Sequence, residues 1–269
     1  MEKQRRRAEL FRGLHTKGTP LVLYNVWDVG SALAVASSGA PALATSSSAL
    51  SASHGLEDGQ LLPLPVLLET AASIVAAVPQ LPLSVDFEGA YAVSPDQVRV
   101  NIGRLIATGA VGVNLEDQRV GPGPSWTNGT GMYPVKQQAA RIRACREAAD
   151  ASGMPLVINA RTDVLLKEPD LAKHSLLFGE VMERAAAYSQ AGADCLFVPA
   201  LENVDLDLLS RICAASPLPV NAMHLGPPSG VAALAAVGVA RVSHGSMPFR
   251  TLHEWLTNQA RNATAAAAL

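Results

Sequence analysis

Two pairs of acidic residues close apolar runs in this 269-residue chain: Asp86 and Glu88 at the end of Leu83–Phe87, and Glu116 and Asp117 at the end of Gly112–Glu116. Two residues apart on a strand, Asp86 and Glu88 are expected to point to one face. Carboxylates gathered on one rim repel each other, and a hard cation relieves that repulsion. Mg²⁺ suits such a set best, with Mn²⁺ as its substitute, because Mg²⁺ takes few carboxylates and keeps several waters. Asp58, in the loop before Leu83, is placed to join them. A single acid here is explained equally well as an ion pair or a helix cap. A shared role better explains the whole set.

Arg161, in the run Asn159-Ala160-Arg161-Thr162-Asp163, would bring a planar guanidinium beside that cation, suited to gripping an anionic substrate. The competing role is neutralisation of Glu116 or Asp86. Thr45-Ser46-Ser47-Ser48 offers hydroxyls and backbone N–H groups of the kind that hold a carboxylate or phosphonate. There is no Gly-x-Ser-x-Gly turn, so a serine nucleophile is not expected. His224 and His244 fall at the ends of apolar runs, where a polar rim role and a proton-transfer role are both open. Trp27 and Tyr91 are candidates to line a pocket or simply to pack.

The elements that must position these residues alternate. Short apolar runs at Leu21–Asn25, Ala42–Ser46, Leu83–Phe87, Gly112–Glu116, Leu156–Ala160, Cys195–Pro199, Pro219–Met223 and Ala240–His244 read as parallel strands buried on both faces. Helical patterns lie between and after them, near 29–39, 65–78, 95–109, 135–152, 178–191, 203–215, 228–237 and 246–262. Ser94-Pro95, Pro134 and Pro227-Pro228 mark starts, and Gly39, Gly109, Gly153, Gly192 and Gly238 mark ends. With a further N-terminal helix this predicts an α/β fold, a (β/α)8 TIM barrel forming a single domain over residues 1–269. An open doubly wound sheet is the alternative. It would need a glycine-rich phosphate turn after the first strand, where Asn25-Val26-Trp27-Asp28 stands instead. Two connections are longer than a barrel requires, 47–63 and 118–133. The second carries four glycines and two prolines, as a mobile gate over the site would. The tail 263–269 reads as a frayed end.

Composition removes other classes. A formal net charge of −2 leaves no basic footprint for nucleic acid. No apolar stretch reaches about 18 residues, so no membrane span is expected. Three cysteines without metal or redox spacing suggest a reduced, cytoplasmic protein.

Taken in order, Thr45-Ser46-Ser47-Ser48-Ala49, Gly55-Leu56-Glu57-Asp58, Asp86-Phe87-Glu88-Gly89-Ala90-Tyr91, Asn114-Leu115-Glu116-Asp117, Asn159-Ala160-Arg161-Thr162 and Gly192-Ala193-Asp194 resemble the phosphoenolpyruvate mutase/isocitrate lyase superfamily across almost the whole chain. The resemblance implies a Mg²⁺-dependent barrel that makes or breaks C–C or P–C bonds beside a pyruvate-type oxyanion. It also implies a homodimer or homotetramer whose last helix swaps between subunits. By the same resemblance the metal set is Asp86, Glu88 and Glu116, and the catalytic set is Arg161, Glu116 and Asp58. The substrate-binding set is Thr45, Ser46, Ser47, Ser48, Arg161, Tyr91 and Asn221. The gate residues are Arg119, Trp126 and Asn128.

Departures from the superfamily bear on the reaction. The gate has no cysteine where the isocitrate and methylisocitrate lyases carry their acid/base Cys. Gln118 stands where mutases carry a lysine, and Ala90-Tyr91-Ala92 replaces the usual Gly-Tyr-Gly. The expected function is Mg²⁺-dependent C–C cleavage of a small 2-oxo or 2-hydroxy dicarboxylate through a pyruvate-enolate-type intermediate. The alternatives are a P–C mutase or phosphonopyruvate hydrolase and, in another class, a barrel that binds a metabolite without turnover. The last leaves a buried set of carboxylates without purpose.

Overall fold

A computed structural model describes residues 1–119, 131–199, 205–226 and 230–266. Helix α1 (Glu2–Gly13) leads into strand β1 (Leu21–Leu23), α2 (Val29–Ser37), β2 (Leu43–Ala44), α3 (Ser47–Ser53), α4 (Leu64–Ala77) and β3 (Leu83–Asp86). Then follow α5 (Pro95–Ala107), β4 (Gly112–Glu116), α6 (Val135–Ala151), β5 (Val157–Arg161), α7 (Phe178–Gln190) and β6 (Cys195–Val198). The chain continues through α8 (Leu206–Ala215), β7 (Val220–Met223), α9 (Gly230–Ala236), β8 (Arg241–Ser243) and α10 (Met247–Ala266).

All eight strands are parallel, in the order β1-β8-β7-β6-β5-β4-β3-β2. A parallel bridge between Val26 and Thr45 brings the two edges together beyond β1 and β2, nearly closing the barrel. The fold is the expected (β/α)8 TIM barrel. Local chemistry sets the element ends. The Ser94 hydroxyl accepts the Gln97 N–H to cap α5, and Asp28 and Ser31 form a reciprocal capping box on α2. The five glycines expected to end helices all have positive φ. At Gly109 (φ +94) a Cβ would also lie 2.8 Å from Val75 Cγ1, so both conformation and space demand glycine.

The barrel interior is more polar than the apolar runs suggested. Arg241 of β8 donates to the side-chain oxygen of Asn114 on β4 (3.2 Å), a contact that crosses the barrel, and Asn159 of β5 donates to the same oxygen (2.8 Å). Asn221 and Ser243 bond each other on β7 and β8. Phe11 of α1, fully buried, lies under this layer, with the Arg241 guanidinium 5.8 Å from its ring. The outward face of each strand keeps its branched residues, such as Val85, Ile158 and Val242, for the helix layer.

Three expectations change. The connection 47–63 contains a helix, α3, because Ser46 caps it through the Ala49 N–H. Strand β3 stops at Asp86, so Glu88 lies in a turn rather than on the strand. The helix α10 runs on through Ala266, into the segment 263–269 expected to be a frayed tail. Cys145, Cys195 and Cys213 are free and buried. Among the described residues no helix is long and apolar enough to cross a membrane.

Candidate active site

The C-terminal ends of β2, β3, β4 and β5 bring the predicted residues together. Thr45 starts the site: its hydroxyl accepts the Asp86 N–H (2.8 Å) and fixes the end of β3. The Ser47 N–H, in the first turn of α3, donates to Asp86 Oδ2 (3.0 Å), and the Ser47 side chain bonds Asp58. Ser46 is spent on capping, and Ser48 is half-buried beside it. The turn therefore grips a carboxylate of the protein, leaving that carboxylate's other oxygen to face the cleft.

Glu88 is buried, and its Oε2 accepts the Gln60 N–H (2.7 Å). Its Oε1 is buried without a hydrogen-bond partner, as is the Tyr91 hydroxyl that faces the same carboxyl. Burial, then the charges of Asp58 and Asp86, push the Glu88 carboxyl up to about 8. Asp58 keeps access to solvent at the cleft mouth. The cleft walls still strip enough water from it to raise its pKa, and Asp86 adds to the rise. The acids thus crowd one another as the sequence suggested.

Backbone strain marks the same place. Among the described residues the non-glycine positive-φ positions are Gln60, Glu88, Ala90 and Tyr91. The N–H of Gln60 holds Glu88, and its side-chain oxygen accepts the Tyr91 N–H. Each such residue costs about 1 kcal/mol or more, and strain of this kind concentrates at functional sites. Ala90 adopts φ +59, so the turn forms without the superfamily's glycine.

Arg161 lies across the site at the end of β5. Its Nη1 donates to Glu116 Oε2 (3.0 Å), while Nε and Nη2 fork onto Asp163 (2.6 and 3.1 Å). Burial opposes the Arg161 charge, and Asp163 and Glu116 more than offset it. Burial holds Glu116 well above the usual carboxylate range despite Arg161. The neutralising role considered for Arg161 is therefore real at Glu116, and N–H groups on its Nη atoms remain for a ligand.

Other predicted residues fall elsewhere. Asp117 turns away from the rim and is fully buried against Arg184 and Tyr188. Asn221 is fully buried and engaged with Ser243. Arg119 stacks on Tyr133 at 5.2 Å, and its N–H bonds Gly131 O, tying the two ends of the 118–133 segment. Trp126 and Asn128 lie outside the described residues.

Two residues were missed from the sequence. Asp163, two residues from Arg161, could have been found from that spacing. Asn25 gave no signal: it donates to Thr45 O (2.7 Å) and accepts the His244 N–H (2.8 Å), linking rim positions on either side of β1. His244 bonds Leu23 O through Nδ1, and burial lowers its pKa, with the His224 ring at 6.1 Å.

A cation fits this chemistry. Orphaned Glu88 Oε1, crowded acids and a strained turn are all relieved by a positive charge. Among the described residues no three His, Cys, Asp or Glu side chains stand close enough to share one ion.

The raised Glu88 gives a pH prediction. Its folded pKa, about 8, exceeds its unfolded value, so the folded state binds the extra proton and loses stability as pH rises from about 4.5 to 8. Glu88→Gln, which mimics the protonated form, should raise the metal-free melting temperature at pH 8.5 and change it little at pH 4.5. Equal shifts at both values, by calorimetry, would remove the raised carboxyl from the account.

Comparison with known proteins agrees with the geometry. The chain matches the family model described as phosphoenolpyruvate phosphomutase over residues 11–264. It is 31% identical to phosphoenolpyruvate phosphomutase of Streptomyces hygroscopicus, covering 84% of this chain and 70% of that protein. It is 30% identical to 2-methylisocitrate lyase of Bacillus subtilis (strain 168), covering 75% and 64%. The crystal structure of a candidate phosphonomutase from Burkholderia cenocepacia J2315 superposes with a TM-score of 0.89 at 41% identity, covering 97% of this chain and 99% of that one. With most of its length matched, the chain belongs to the phosphoenolpyruvate phosphomutase family of the phosphoenolpyruvate mutase/isocitrate lyase superfamily.

Proposed function

We propose that this chain is a Mg²⁺-dependent carbon–carbon lyase for a small 2-oxo or 2-hydroxy dicarboxylate. The observation that carries the reading is that the ends of β3, β4 and β5 gather Asp86, held by Ser47, the buried Glu88 and the Arg161 guanidinium paired with Glu116. Asp86, steadied by Thr45 and Ser47, would contact the metal, and Asp58 and Glu88 would support it as neighbouring acids. When bound, Mg²⁺ supplies the positive charge that stabilises an oxyanion developing on the 2-oxo group. Arg161 orients the substrate carboxylate, and Glu116 keeps that guanidinium aimed. Loss of CO₂ from an oxaloacetate-like 2-oxo acid leaves the electron pair of the broken C–C bond to delocalise onto the 2-oxo oxygen as an enolate, and the buried rim limits its protonation by water. Decarboxylation of an oxaloacetate-like acid needs no acid/base cysteine, which suits a gate sequence that has none.

A second reading, P–C mutase or phosphonopyruvate hydrolase, draws support from the phosphomutase and phosphonomutase names of two relatives. Gln118, in place of the mutase lysine, weighs against it. The experiment is incubation with MgCl₂ and a panel of 2-oxo and 2-hydroxy diacids plus phosphonopyruvate, with pyruvate as readout. Release from a diacid alone supports the lyase. Release from, or rearrangement of, phosphonopyruvate alone supports the second reading. Inertness throughout would leave the non-catalytic barrel.

The reading includes self-assembly through α10. From Arg250 to Ala265 every residue of that helix is exposed, among them Leu252, Trp255 and Leu256 at about half of their surface. Those three side chains line an apolar groove of ≈ 860 Å³ with Tyr24, Trp27 and Val35. A helix with so little packing of its own draws its stability from a partner. Light scattering at micromolar concentration should give a homodimer or homotetramer mass, and Trp255→Glu with Leu256→Glu should reduce it to the monomer. A wild-type monomer would end this part of the proposal.

A further inference from the structure

We propose that the buried Asp117–Arg184–Tyr188 cluster, behind the cleft, is a positioning device for Arg161. The proposal rests on the reading of Arg161 as the substrate's anion clamp. Asp117 grips the Arg161–Asp163 stretch at both ends. Its N–H donates to Arg161 O (3.1 Å), and its Oδ1 accepts the Asp163 N–H (2.9 Å). Asp163 in turn holds the Nε/Nη2 edge of Arg161. The other Asp117 oxygen, Oδ2, accepts from Tyr188 Oη (2.7 Å) and Arg184 Nη1 (3.0 Å), which sit one turn apart on α7. Arg184 also donates to Tyr133 O (3.1 Å), and the Tyr133 N–H closes back onto Asp117 O (2.8 Å).

This arrangement is poorly explained as a device for stability alone. A buried ion pair is roughly matched by well-packed apolar side chains of the same volume, so burying Asp117, Asp163 and Tyr188 completely is no efficient way to stabilise a barrel. What such a network gives is direction: every contact is angular, and each fixes the next. Direction matters at Arg161 because Glu116 competes for the same guanidinium that a substrate carboxylate must reach. If the Asp163 edge slips, Arg161 can turn toward Glu116 and away from the cleft. The helix α7, which touches no substrate, thereby sets where the anion lies.

The test uses the full-length protein and Tyr188→Phe, which removes one hydroxyl and keeps the ring, with Arg184→Lys as a second variant. The first readout needs no ligand: the Arg161 Nε–H resonance, assigned by its loss in Arg161→Lys and expected to be protected from solvent exchange by Asp163. Both variants should speed that exchange about tenfold while leaving barrel amide protection unchanged. The second readout is calorimetric binding of oxalate, a planar enolate-like dianion, in MgCl₂. Each variant should raise the oxalate Kd about fivefold, and Tyr188→Phe combined with Arg161→Lys should raise it by less than the product of the single effects. Unchanged Nε–H exchange in both variants overturns the proposal. Faster exchange with unchanged oxalate binding in Arg161→Lys keeps Arg184 and Tyr188 as positioning residues and overturns the anion-clamp reading instead.

Discussion

Asp86→Ala should lower turnover on the order of 10³-fold, the scale of removing one preorganised electrostatic contact at a reacting oxyanion, while leaving the barrel folded. Asp86 is the acid on which the site converges. The Thr45 hydroxyl and the Ser47 N–H orient it, and Asp58 and Glu88 both feel its charge. Its loss removes the bond from the Ser47 N–H, worth about 1 kcal/mol at a helix start. Against this stands relief of repulsion from two crowded carboxyls, of similar size and opposite sign. The melting temperature without metal should therefore stay within a few degrees of wild type, and the Mg²⁺-induced rise in melting temperature should vanish. An Asp86→Ala protein that keeps its Mg²⁺ response and turns over substrate would remove Asp86 from the centre of the site.

Arg161→Met should damage both binding and stability. The side chain neutralises Asp163, which is fully buried, and Glu116, which is nearly so. Taking away the shared cation leaves buried carboxyls unpaired, a loss of about 3–5 kcal/mol. In a barrel of this size that corresponds to a fall in melting temperature on the order of 10 °C. The sign of the pH dependence is fixed by the same charges. Burial holds the Glu116 carboxyl high even beside Arg161, so without that cation the variant recovers stability as pH falls and loses it as pH rises. Melting at pH 5 and pH 8 should show a larger deficit at pH 8. An equal, small deficit at both values would mean that Asp163 and Glu116 do not depend on Arg161. In the folded protein at pH 6, oxalate binding should weaken at least tenfold, the scale of one charge-assisted contact.

Much of this was legible in the sequence, for reasons specific to each feature. Parallel strands buried on both faces show as apolar runs, and helix ends show as Ser94-Pro95 or as Gly109, because capping and positive φ are local requirements. The acids at 86, 88 and 116 were legible because unpaired charge at strand ends is costly unless something uses it. Their partners were less so. Asp117 reads like Glu116, its neighbour, yet the alternation of a strand sends one inward to Arg161 and the other outward to α7. Glu88 reads as a strand residue because nothing in Phe87-Glu88-Gly89 announces a left-handed turn. That conformation is held by Gln60, from a loop 28 residues away.

The sequence by itself determined the barrel, the polarity of its rim and the identity of the residues able to meet a cation and an anion, since these follow from local propensity and from the cost of burying charge. Only the tertiary structure decided which oxygens remain available. Pairing across the sheet, such as Glu116 with Arg161, depends on register between strands. The interior contact of Arg241 with Asn114, residues 127 apart, depends on closure of the barrel. The pKa of Glu88 depends first on its burial and then on how near Asp58 and Asp86 are brought. Those are properties of distance through space, and no pattern along the chain encodes them.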